Sequence, residues 1–165
     1  MPHQQKLKKY VNHPRYGSEP LPSSENIPVD VIENAHWRYS GVKYFPETAI
    51  AADTSKQNYA IYPRAIYVDI EESCELCHRP FIFFAKEQQH WFEKLGFWID
   101  AHCTKCMECR KKDQEIRFMQ KRYQELIGSQ QRTSSESREL KNIAMKLYQL
   151  GYIRDSNKLD IEISC

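Results

Sequence analysis

Apolar residues in the last third of the chain recur at helical intervals. Ile116, Met119, Tyr123, Leu126 and Ile127 fall three or four residues apart, and Gly128 ends the run. Leu140, Ile143, Ala144, Leu147 and Leu150 repeat the pattern before Gly151. Thr133, with Glu136 three residues on, has the spacing of a capping box ahead of that second run. Two amphipathic helices joined by a polar stretch, residues 129–135, predict an antiparallel hairpin. Lys158 to Ser164 add a short strand or a frayed end. The middle of the chain has a different period. Arg64 to Ile70 are rich in β-branched and aromatic types and predict a strand, and Phe81 to Phe84 predict a second one. Lys86 to Leu95 read as a helix with Trp91, Phe92 and Leu95 on one face, and Gly96 stands where a left-handed C-cap belongs.

The first 60 residues lack either period. Seven of the eight prolines lie at or before Pro63, and Pro14, Gly17, Pro20, Pro22 and Pro28 interrupt any long helix. Disordered segments are poor in aromatics, whereas Tyr10, Tyr16, Trp37, Tyr39, Tyr44, Phe45, Tyr59 and Tyr62 are spread through this part. An extended arm whose aromatics pack on the rest of the chain, or else onto a partner, accounts for both features, and packing on the chain is the better reading. The divisions are then 1–60, an aromatic and proline-rich arm; 61–112, a compact centre; and 113–165, the helical hairpin and tail.

The chain has 165 residues, 41% of them hydrophobic, and a mean hydropathy of −0.74. So polar a chain does not close around one large core, and a metal staple would help it fold. The net charge of +2 excludes an overtly polycationic binder, so any basic surface is local. No apolar run nears the roughly 20 residues of a membrane span. The opening Met-Pro-His-Gln-Gln-Lys lacks the apolar core of a secretory signal. These features predict a cytoplasmic protein with no membrane partner, where paired cysteines bind metal rather than form disulfides.

Five of the six cysteines lie between positions 74 and 109. Cys74 and Cys77 form one Cys-x-x-Cys pair. Cys103, Cys106 and Cys109 offer two overlapping pairs, and His102 is a further donor. Two such pairs suit one tetrahedral, structural Zn2+, which takes four sulfur or nitrogen ligands and keeps no open position. Cys106 and Cys109 make the better second pair. Arg110, Lys111 and Lys112 follow them and offset thiolate charge, and a helix beginning at Cys109 turns its amides toward sulfur. Cys103 is then an extra thiol near the metal, or a redox switch that exchanges with Cys109. Cys165 is an incidental thiol.

Taken together, Cys74-Glu-Leu-Cys77, Pro80-Phe81, Phe83, Glu87-Gln88, Trp91, Leu95-Gly96-Phe97 and Cys106-Met-Glu-Cys109-Arg110-Lys111 resemble the probable zinc-ribbon family of small bacterial proteins. The resemblance covers residues from about 70 to 113 and implies Cys74, Cys77, Cys106 and Cys109 as the ligands. His78 and Arg79 depart from the Gly-Lys that often follows such a knuckle, and Cys103 is additional.

No phosphate-cradling loop or hydrolase motif occurs, and the chain has only five glycines. His90 and His102 read as packing or surface residues. Glu71, Glu72 and Glu75 read as a solvated acidic edge. Arg110, Lys111, Lys112, Arg117, Lys121 and Arg122 are the best candidates for nucleic-acid contact, with Tyr123 nearby, although Asp113, Glu115 and Glu125 dilute their charge. The expected fold is α+β: a small zinc ribbon with an inserted helix, preceded by the aromatic arm and followed by the helical hairpin. The expected function is a non-enzymatic, zinc-stabilised binding module that engages RNA, a ribonucleoprotein or a protein and has no small-molecule substrate. The alternatives are a purely protein-binding adaptor and a thiol-based redox sensor built on Cys103.

Overall fold

The computed structural model of the protein describes residues 9–162. Cys165 and the end of the 158–164 stretch lie outside them. The chain divides into two compact units, Met1–Cys109 and Arg110–Cys165.

The first unit is built on a three-stranded antiparallel sheet, ordered β1 (Tyr44–Ala51), β2 (Ile66–Ser73), β3 (Pro80–Phe83). The central strand β2 is buried on both faces from Ile66 to Ile70, which explains why its sequence runs nearly continuously apolar. Ile66, Val68 and Ile70 point one way and join Tyr39, Ala49 and Ile32 from α1 (Val29–Ala35). Tyr67 points the other way and joins Ile50, Phe92, Ile99 and Ala85 from α2 (Ala85–Gln89). Asp69 shares that second face and is itself buried. Its carboxylate accepts the amides of Leu21 (2.8 Å) and Ala85 (2.7 Å), so one side chain ties the amino-terminal segment to the start of α2.

β1 is an edge strand, and it tolerates Pro46 because its register with β2 shifts between Phe45 and Ile50. Thr48 fills the gap in the ladder: its hydroxyl donates to the Phe45 carbonyl (2.7 Å) and accepts the Asp69 amide (2.8 Å). The stretch expected to be an extended arm thus supplies α1 and β1. Tyr10 and Tyr39 are buried, while Trp37, Tyr59 and Tyr62 are exposed. The acidic edge is ion-paired rather than simply solvated. Glu71 accepts from Lys43 (2.8 Å), Lys9 (3.1 Å) and the Tyr10 hydroxyl, and Glu72 accepts from Arg38 at 2.7 Å.

The helix expected through Leu95 is α-helical only to Gln89 and continues as a π turn over His90–Lys94. The wider turn closes with the Leu95 amide on the His90 carbonyl (3.0 Å). It carries Leu95 off the face shared by Trp91 and Phe92, so Leu95 is exposed. Gly96, with φ at +66°, then reverses the chain.

The second unit contains most of α3 (Met107–Gly128) and all of α4 (Ser134–Gln149). Tyr123 and Leu126 from α3 meet Leu140, Ala144 and Leu147 from α4, and Ile153, Leu159 and Ile161 from the tail cover them. The Thr133–Glu136 capping box is formed. Arg132 donates to the Leu126 carbonyl (3.0 Å), which satisfies an acceptor at the end of α3. Leu150 is the C-cap residue of α4, beyond its apolar face, and is exposed. The tail makes a short 3-10 turn, Ser156–Leu159, and the described part of the 158–164 stretch forms no strand.

Candidate metal centre

The first two thiols belong to the hairpin between β2 and β3. Ser73 pairs with Pro80, and Cys74 to Arg79 form the loop. The Cys74 amide donates to the Arg79 carbonyl (3.1 Å) and the His78 amide to the Cys74 carbonyl (2.9 Å). Closing so tight a knuckle requires a left-handed residue, and His78 supplies it with φ at +58°.

The second two thiols come from a helix start. Cys106 directly precedes α3, and Cys109 is its third residue. The Cys109 amide donates to the Cys106 sulfur, so the thiol takes the part that a serine or aspartate plays at an ordinary N-cap. A two-residue gap therefore brings both sulfurs to one end of the helix, where orphan amides favour negative charge. The Glu75 amide donates to the Thr104 carbonyl (2.9 Å) and holds the knuckle beside that end. Arg79 makes a two-pronged ion pair with Glu108 (2.8 and 3.4 Å).

The sulfurs of Cys74, Cys77, Cys106 and Cys109 all lie within 4.8 Å of one another. Cys77 and Cys106 are 3.7 Å apart. Zinc–sulfur bonds of about 2.3 Å at tetrahedral angles require sulfurs about 3.8 Å apart, so the cluster fits the ion. The electrostatics fit as well. The amides of Cys77, Cys106 and Leu76 and the Cys77 thiol overcome burial and bring the Cys74 thiol down to about 6. Burial and the three neighbouring thiols push Cys109 up to about 12. One thiol ionises readily and the last resists, because each new anion faces those already present. A dication removes that conflict. When bound, zinc would cross-link hairpin and helix, with all four positions taken by protein.

Cys103 is buried beside the cluster, and its thiol donates to the Lys105 carbonyl (3.0 Å). His90 and His102 are exposed. The basic residues do not form one free stripe. Arg122 is held by Glu139 through two 2.8 Å bonds and also faces Glu125 at 3.5 Å, and Lys121 is 4.0 Å from Glu125. Arg110 is partly buried, while Lys111, Lys112 and Arg117 are exposed.

The first unit also holds a buried polar centre that no period or motif of the sequence announces. Arg64 is fully buried, with its guanidinium over the rings of Phe92 (5.0 Å) and Tyr39 (5.7 Å). It donates to the Ile99 carbonyl (2.9 Å) and to Gln88 Oε1 (3.4 Å). Gln88 in turn donates to the carbonyls of Val68 (2.8 Å) and Phe83 (2.9 Å). His36 lies 3.5 Å from Arg64, and burial followed by that positive charge brings its imidazole down to about 4.

His36 belongs to a tetrapeptide that occurs twice, His13-Pro-Arg-Tyr16 and His36-Trp-Arg-Tyr39. In both, histidine Nδ1 accepts the amide of the arginine two residues on, at 3.1 and 3.3 Å. The proton is thereby assigned to Nε2, which faces Glu87 at 3.6 Å in the first copy and Asp100 at 3.2 Å in the second. The repeated His-x-Arg-Tyr was the available signal for these turns.

Residues 68–117 match the family described as a probable treble clef domain. No curated protein and no solved structure matches the chain. Among the described residues no helix is long and apolar enough to cross a membrane. A knuckle in a β-hairpin followed by a helix whose first turn completes the ligand set makes residues 68–117 a treble-clef, zinc-finger-like domain with four cysteines placed for one structural zinc ion.

Proposed function

We propose that the chain is a non-enzymatic, zinc-stabilised binding module whose partner is a protein, acting in the cytoplasm where thiols stay reduced. The observation that carries the reading is an apolar surface on the first unit. Trp37, Ile61 and Tyr62 are 72%, 76% and 79% exposed, and together with Trp98 they border a recess of about 540 Å³. Single exposed apolar residues are commonplace, whereas several grouped around one concavity mark an interaction site. A four-thiolate zinc keeps no open position for chemistry, so its part is to stiffen the platform. The ion pairs that engage Arg122 and Lys121 weigh against a phosphate-binding stripe, and the burial of Cys103 supports packing over redox sensing.

Native mass spectrometry of the chain purified from the cells that make it, with and without nuclease, tests this reading. The expected species carries one zinc and a protein partner that survives nuclease and is lost with Ile61→Asp plus Tyr62→Asp. A complex that nuclease dissolves, and that weakens steeply between low and moderate salt, would replace the protein partner with a nucleic acid.

A further inference from the structure

The same recess has a chemical character beyond being apolar. Trp37, Tyr62 and Trp98 are among its lining residues, with Asp100. Asp100 is the only formally charged side chain among the described residues that line it; no lysine or arginine does so. This carboxylate is held in place rather than free to turn. His36 Nε2 donates to its Oδ1 at 3.2 Å, and the Trp37 indole N–H reaches the same oxygen at 3.4 Å. The Arg38 amide donates to Nδ1 of His36 from behind (3.3 Å), which leaves Nε2 as the nitrogen that carries the proton toward Asp100. Both bonds fall on Oδ1, and Oδ2 keeps its capacity to accept.

A fixed carboxylate beside several aromatic faces is complementary to an organic cation. Ring faces attract positive charge through their quadrupole, most strongly at tryptophan. Among the cations a protein can present, guanidinium suits this wall best. Its plane stacks on an indole while its edge donates to a carboxylate oxygen, which a compact ammonium cannot do at once. Arg64 does not line the recess. Its guanidinium lies against Tyr39 and Phe92, and His36 stands between its Nη2 and Asp100 in the chain of contacts.

We infer that the recess bordered by Trp37, Tyr62, Trp98 and Asp100 receives an arginine side chain of the protein partner, held by stacking and by the oriented Asp100 carboxylate. The inference rests on the protein-partner reading and adds the chemistry of what is recognised. Trp37 and Tyr62 are substantially exposed and Asp100 lies at the surface, so their variants leave the core intact.

The test follows the indole N–H resonances of the full zinc-loaded protein during titration with N-acetyl-arginine amide. N-acetyl-citrulline amide serves as the neutral, isosteric control. Trp37 and Trp98 are expected to shift and Trp91 to stay in place. The citrulline compound and the Asp100→Asn variant should each bind at least about tenfold more weakly, with an unchanged Trp91 signal showing that the variant is folded. Equal responses to arginine and citrulline amides, or no response at Trp37 and Trp98, would overturn the inference. Loss of charge preference while Ile61→Asp plus Tyr62→Asp still releases a nuclease-resistant partner would remove the arginine and leave the protein-binding reading standing. Arginine-amide binding in a chain whose cellular partner proves to be nucleic acid would overturn a peptide as the occupant.

Discussion

Two of the buried polar centres of the first unit, the thiol cluster and Arg64, are supported in opposite ways. At the thiol cluster, Cys74, Cys106 and Cys109 are buried and Cys77 partly so, and the charge of the four is balanced only when a dication joins them. At Arg64 the charge is carried by the chain alone, spread over two ring faces, a backbone carbonyl and the Gln88 amide. Leaving one partner of a buried polar centre unmatched costs more than the centre itself contributes. The cluster can therefore be unmade by removing an ion, whereas the arginine centre can be unmade only by changing the sequence.

The largest expected effect breaks the metal side. Structural zinc sites of this kind contribute on the order of 10 kcal/mol to folding. A strong chelator should abolish the cooperative unfolding transition of the first unit, followed by near-ultraviolet circular dichroism, with one zinc released per chain. A chelated protein that keeps its native transition would show that the thiols are held by packing, like the arginine. Next in size is Arg64→Met, which keeps much of the volume but strands the Ile99 carbonyl and Gln88 Oε1. A loss of about 3 kcal/mol is expected from two buried acceptors left unmet, read as a lower denaturant midpoint with zinc still bound. A neutral or stabilising outcome would class Arg64 with buried ions that apolar residues can replace. The smallest effect sharpens the knuckle. His78→Gly relieves a non-glycine residue at positive φ and should raise stability by about 0.5–1 kcal/mol. The check is a higher midpoint at unchanged slope.

The two centres also differ in how far they can be read from sequence. The ligand set is local, with each pair spanning two residues, so the Cys-x-x-Cys spacing announces it. The periodic helices and the Thr133–Glu136 box were legible for the same reason, since their partners lie within four residues. Arg64 draws on His36, Tyr39, Gln88, Phe92 and Ile99, which no period connects, and in the sequence it looks like an ordinary strand-edge arginine. β1 is obscured by Pro46, which is acceptable there because the strand lies at the sheet edge and its register shifts at the irregularity bridged by Thr48. Leu95 and Leu150 were placed on apolar faces by spacing, but a π turn displaces one and a helix end displaces the other. The treble-clef form of the second half-site is partly visible: a helix start is expected at Cys109, although nothing in the spacing reveals that Cys106 is its cap.

That cap has a consequence for the order of folding events. Starting a helix fixes about three residues for a single hydrogen bond, which makes the first turn the slow and unfavourable part. Cys106 and Cys109 span that turn, so an ion taken by this pair alone already holds it in shape. The Cys74–Cys77 knuckle, with Cys77 29 positions before Cys106, would then close on a loaded helix end. If zinc loads Cys106 and Cys109 first, helix initiation and metal capture would be a single event, and the folding rate of this part of the chain would follow the supply of zinc as well as the sequence.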